Sequence, residues 1–182
     1  MNKIKLLPTV IILGLSSINT YANTGTINFN GVISAVTCET GIATDGSMDP
    51  TGTINFDPAT VVDFEDGASS PVIGEPSGGS YEKEFTIAPI NVDSCSATGA
   101  TVSLMGSARP GYPDVLDGGQ DVGFVVKFAN GDSVLNKPNS NVEAANWDNV
   151  TKAIKFKANY FNTGTATPGA VLGSATYAIA YL

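Results

Sequence analysis

Along most of this chain apolar and polar positions alternate with a period of two, the signature of half-buried β-strands. The pattern predicts strands over 26–33, 34–40, 53–56, 84–92, 100–105, 122–129, 153–161 and 173–181, each rich in β-branched or aromatic residues. Clusters of Gly, Pro, Asn, Asp and Ser separate them, at 45–52, 66–80, 109–119 and 138–141. No helical periodicity competes beyond residue 22; a short turn fits 141–147. Lys155, Lys157 and Asn159 alternate with Ile154, Phe156, Ala158 and Tyr160, so one face of that strand is expected wet and the other inward. Pro89 lacks a ladder donor, which predicts a bulge or a sheet edge near it. The segment 66–80 reads as a mobile surface loop. Strands at this spacing predict an all-β antiparallel sandwich.

Residues 1–22 break the pattern. Lys3 and Lys5 precede an apolar run over 6–15, followed by small and polar residues ending at Ala22. That is the layout of a secretory signal peptide, and the run is half the length of roughly 20 residues that a membrane-spanning helix needs. Cleavage after Ala22 leaves 23–182, in which 23–34 forms an amino-terminal extension and 35–182 the folded domain.

Of 182 residues, 17 are acidic and nine basic, for a net charge of −8. Between residues 23 and 82 there is no Lys or Arg, which makes nucleic acid and anionic lipid poor partners. Histidine is absent and Arg109 is the one arginine, so a Ser/His/Asp triad and histidine-based zinc sites are excluded. No cofactor or metal site is expected. Carboxylate pairs such as Asp63 with Glu65, or Asp114 with Asp117, are the remaining glycosidase candidates, and they arise easily on an acidic surface. Calcium candidates around Asp45, Asp49 and Asp57, or Asp63, Glu65 and Asp66, lack the spacing of the twelve-residue loop. A secreted carbohydrate-binding sandwich is a further rival, with Trp147 as the one residue for an aromatic platform, although burial under a loop suits it better.

Two cysteines remain after export, Cys38 and Cys95, and an oxidising compartment makes their disulfide the natural pairing. A bridge of this span stabilises by about 4 kcal/mol in the loop-entropy picture.

The two ends carry the functional signal. Near the front, Ile27, Phe29, Gly31 and Ile33 fall on one face of an extended strand, an apolar row with one side chain missing. At the back, Ala175, Tyr177, Ile179 and Tyr181 alternate with Thr176, Ala178 and Ala180 to within one residue of Leu182. Four features in order (TINFNGVI at 26–33 ahead of Cys38, INVDSC at 90–95, KANYFNTGTATPGA at 157–170, and Gly169 fourteen residues from the end with Tyr181 penultimate) resemble the pilin subunits of chaperone-usher fimbriae. The type 1 major-subunit group is the nearest in pattern. Pro89, the long spacing between the cysteines and the apolar Leu182 depart from that pattern.

The resemblance implies an incomplete immunoglobulin-like β-sandwich lacking its last strand, completed by donor-strand exchange. It implies a periplasmic pilus chaperone that first lends a strand, an outer-membrane usher, and neighbouring pilin subunits whose extension replaces the lent strand in a homopolymer at the cell surface. Strand donation between chaperone and pilin is an established case of β-augmentation. Ile27, Phe29 and Ile33 then become knobs in a neighbour's groove, at roughly 1.5–3 kcal/mol each before association costs. Gly31 marks a shallow point of that groove. Gly169, Tyr177, Ile179, Tyr181 and Leu182 become the groove and chaperone-binding strand, with the Leu182 carboxylate offered to a basic anchor. A shaft subunit is favoured over a minor adaptor because the chain is short and carries a donor extension.

Overall fold

The computed structural model describes residues 38–44, 47–49, 51–65, 71–76 and 81–182. The expected signal peptide, the extension 23–34 and the first predicted strand lie outside these residues. Eleven strands are described: β1 (Thr40–Thr44), β2 (Ser47–Asp49), β3 (Lys83–Pro89), β4 (Ala100–Gly106), β5 (Ala108–Arg109), β6 (Tyr112–Asp117), β7 (Val122–Phe128), β8 (Lys137–Asn141), β9 (Trp147–Asp148), β10 (Ala153–Asn162) and β11 (Ala175–Tyr181). One sheet runs β2-β1-β3-β10-β7-β6-β5 with β9 added beside β10; the other runs β11-β4-β8. Every pairing between named strands is antiparallel.

Alternation explains the long central strands. On β10, Ile154, Phe156 and Ala158 are buried, while Lys155 is exposed and Lys157 half-buried. Phe156 stacks between Phe85 of β3 and Phe128 of β7, at ring centroids 5.1 and 5.5 Å away. From the smaller sheet Val102, Leu104 and Tyr181 meet this layer, closing one continuous core. The opposite face of β10 is satisfied by ion pairs: Lys157 with Glu82 at 2.7 Å, Lys155 with Asp148 at 3.8 Å, and the neighbouring Lys127 with Glu75.

The chain passes from the small sheet to the large one between Gly106 and Ala108. A side chain at Gly106 would put its Cβ 2.4 Å from Leu116 Cδ1 and 2.9 Å from the Ser174 carbonyl oxygen, so only glycine permits this crossing. The disulfide joins Cys38, just ahead of β1, to Cys95 after β3, with Cα atoms 5.4 Å apart.

Several expectations change. Residues 53–56 form no strand. They carry no ladder and lay Phe56 against Phe124 and Tyr160, at 5.1 and 4.9 Å, so the apolar alternation there records partial burial without pairing. The turn-rich segments 45–52, 109–119 and 138–141 overlap β2, β6 and β8, strands short or interrupted by Pro, Asp and Asn. β3 lies inside the sheet, yet its ladder to β10 stops at Ile87, so Pro89 is flanked by β1 alone and needs no bulge. Within 66–80, Pro71 bridges Glu65 and Gly74 bridges Asn162, which anchors the middle of the expected mobile loop. The short turn near 144 is a 3-10 turn, Ala144–Asn146.

Candidate functional site: the carboxy-terminal strand and its supports

β11 is the last strand of its sheet among the described residues, pairing with β4 from Ala175↔Gly106 to Tyr181↔Ala100. Period-two geometry sends Tyr177, Ile179 and Tyr181 to the core side, opposite Leu104, Val102 and Ala100. Their burial is graded. Tyr181 is 2% exposed, with its ring 6.3 Å from that of Trp147, whereas Tyr177 and Ile179 are only partly covered and Ala175, Thr176 and Ala178 are exposed. Burial pushes the Tyr181 phenol well above its ordinary value, with a smaller contribution from Tyr177, so it stays neutral across the physiological range. The strand is thus rooted at its carboxy-terminal end and open towards its beginning.

The root is held by a turn that sequence reading passed over. The Leu182 N–H donates to the Gly99 carbonyl at 2.9 Å, and Leu182 O accepts from the Thr98 N–H at 2.7 Å and the Thr98 hydroxyl at 3.3 Å. Cys95 lies three residues before Thr98, so the disulfide ties the start of β1 to the turn that fixes the chain end. Leu182 itself stays 53% exposed.

The open end is organised by residues 118–121, between β6 and β7. Gly119, Gln120 and Asp121 all take positive φ, at 79°, 56° and 56°. This left-handed run aims carbonyls at the segment that leads into β11. Gln120 O accepts from the Thr167 N–H at 3.2 Å, Asp121 O from the Thr163 N–H at 2.8 Å, and Gly118 O from the Leu172 N–H at 3.0 Å. Arg109 reaches both Asp117, at 3.1 Å, and Asp121. The guanidinium and the Gly119 N–H hold the Asp117 carboxyl below its ordinary value.

Gly169 sits in this lead-in segment, six residues ahead of β11, and not on the strand grouped with it from sequence. Its missing side chain makes room for Gln120, whose Cδ would be 2.8 Å from a Cβ there. Gly169 also lines a cavity of about 200 Å³ with Phe64, Val122, Tyr160, Ala166 and Val171. A second cavity, about 310 Å³, lies at the start of β11 between Leu116, Asp117, Leu172 and Gly173. Ile27, Phe29, Gly31 and Ile33, the expected donor face, fall outside the described residues. The Thr98-Gly99 turn and the 118–121 turn were detectable only as glycine punctuation.

Asp45 and Asp66 of the calcium candidates lie outside the described residues, and several of the other residues behind the rival readings have structural work. Trp147 is 8% exposed and donates from Nε1 to Asn149 at 2.9 Å, which removes the proposed sugar platform from the surface. Asp57 pairs with Lys83 at 2.7 Å, and Asp49 caps Thr51 at 2.9 Å. Asp63 accepts from the Thr60 hydroxyl at 2.7 Å and the Thr60 N–H at 2.5 Å, bonds that hold its carboxyl below the usual value.

An incomplete immunoglobulin-like sandwich, several of whose charged groups serve turns and ion pairs, is the fold of a structural module. The chain belongs to the fimbrial protein family, whose profile, described as "Fimbrial protein", matches residues 27–181. It is 30% identical over 195 residues to "Fimbrial subunit type 1" of Klebsiella pneumoniae, covering 98% of this chain and 99% of that one. It is 29% identical over 197 residues to "Type-1 fimbrial protein, A chain" of Escherichia coli, with the same coverage. Among solved structures its fold resembles the P pilus rod subunit PapA, at TM-score 0.59 and 18% identity over 87% of this chain and all of that one. A chaperone-usher pilus structure gives TM-score 0.51 and 15% identity over 91% of this chain and all of that one. The protein is a structural fimbrial subunit.

Proposed function

We propose that this subunit polymerises by donor-strand exchange along β11 and forms the shaft of a surface fimbria. The inward alternation of Tyr177, Ile179 and Tyr181 on the last described strand of the smaller sheet carries this reading. A periplasmic chaperone lends a strand beside β11 and reads the Leu182 carboxylate, which the Thr98 turn presents at a fixed position. At an outer-membrane usher the extension 23–34 of the next subunit replaces the lent strand, seating Ile27, Phe29 and Ile33 as knobs and Gly31 at the shallow point. Ladder bonds provide affinity and the alternate side chains provide register. The process needs no nucleotide or cofactor, and slow dissociation keeps the polymer intact.

Deleting residues 23–33 tests this. The shortened subunit is expected to be captured by its chaperone and to form no SDS-resistant ladder, whereas the full mature chain forms one that collapses on boiling. Long fibres from the truncated protein overturn the donor assignment.

A further inference from the structure

The corner after β7 carries chemistry that the assembly reading leaves unused. Phe128 ends the strand, and Asn130-Gly131 forms the exposed tip of the turn, with Gly131 at φ 100°. Asn followed by Gly is the pairing in which the next backbone nitrogen meets least steric hindrance on approaching the side-chain amide. Ring closure forms a bond from Gly131 N to Asn130 Cγ and breaks the Cγ–Nδ2 bond. The Gly131 proton leaves with the amide nitrogen as ammonia. Water then opens the succinimide at either carbonyl, leaving an aspartyl or isoaspartyl linkage with no redox change.

In the folded turn both reacting groups are engaged. The Gly131 N–H donates to the Phe128 carbonyl at 2.8 Å. Asn130 Oδ1 accepts from the Asp132 N–H at 3.1 Å, and its Nδ2 donates to Asp132 Oδ2 at 2.7 Å and to Glu143 Oε2 at 3.4 Å. The Asn130 N–H donates to Oδ1 of Asn146, which is fully buried, at 2.9 Å. Attack therefore requires the corner to open first. Loss of the amide would set a third carboxylate against Asp132 and Glu143, which now accept hydrogen bonds from it.

We propose that Asn130-Gly131 is a latent deamidation site, guarded by the folded turn, whose modification converts this corner into a repelling cluster of three carboxylates. The test incubates the full chain at mildly alkaline pH, native or in strong denaturant, and follows the Asn130 peptide by mass spectrometry. The second Asn-Gly pair, Asn30-Gly31, calibrates the unfolded rate within the denatured samples. Native Asn130 is expected to react on the order of tenfold more slowly than denatured Asn130, or slower still. Equal rates, or a faster native rate, overturn the guarding. A parallel thermal melt separates charge from lost bonds: N130D is expected to melt below N130A, and a melting temperature equal to or above that of N130A overturns the repulsion.

Discussion

The large sheet and the small one handle apolar residues in opposite ways. In the large sheet Phe85, Phe128 and Phe156 are stacked and almost wholly covered, and the far face is closed by lysine-carboxylate pairs. In the small sheet β11 carries Tyr177 and Ile179 only partly covered, and its neighbours Thr176 and Ala178 are exposed. Both sheets feed one core, but the small sheet leaves part of its apolar face half-covered, and on the proposed reading that part is the surface for assembly. The bracket at Thr98 and the clamp at 118–121 let the second sheet keep a fixed shape while its strand stays accessible.

That division predicts which changes damage folding and which damage assembly. Phe156→Ala removes the central ring of the stacked layer and is expected to cost about 3–5 kcal/mol of unfolding free energy in denaturant titration. Cys95→Ser breaks the link between β1 and the turn that holds Leu182. Its expected cost is about 2–5 kcal/mol in the same titration, with loss of chaperone capture alongside. Ile179→Ala, at a half-covered position, is expected to cost roughly 1–2 kcal/mol and yet abolish SDS-resistant ladders. A full-sized stability loss at Ile179 with assembly intact would reverse the roles assigned to the sheets.

The smallest effect is electrostatic. The Thr60 hydroxyl and N–H lower the Asp63 carboxyl below its ordinary value, so its contribution is complete above that ordinary value and disappears as pH falls through the lower folded one. Because Asp63 is largely solvated, the contribution is expected to be under about 1 kcal/mol. Asp63→Asn should lower stability at neutral pH and flatten the acid limb of a pH series of melting temperatures. An unchanged acid limb would remove the capping role.

Strands with strong alternation were legible before any coordinates: β4, β7, β10 and β11 fall within two residues of expectation. Their apolar residues face one side because a folded sheet buries one face, and that periodicity is a local signal. β6 was hidden by its Pro and Asp content although it pairs with its sequence neighbours β5 and β7, whereas β8 depends on distant β4; the Asn139 N–H, for instance, is satisfied by the Ser103 hydroxyl at 2.8 Å. The run 53–56 erred in the other direction, since Phe56 is partly covered by aromatic contact and not by a ladder. At the candidate site, Tyr177, Ile179 and Tyr181 were readable from alternation alone. Their supports were not, because a turn such as 118–121 declares its function only once 163–172 is folded against it.

Strand donation between molecules is the central claim, and a cysteine pair tests it most directly. One variant carries Phe29→Cys and the other Ile179→Cys, and the two are coexpressed and oxidised. A mixed disulfide dimer, absent when either variant is expressed alone, is the predicted result. No mixed dimer, together with efficient closure of the double variant on itself as a monomer, would contradict the account.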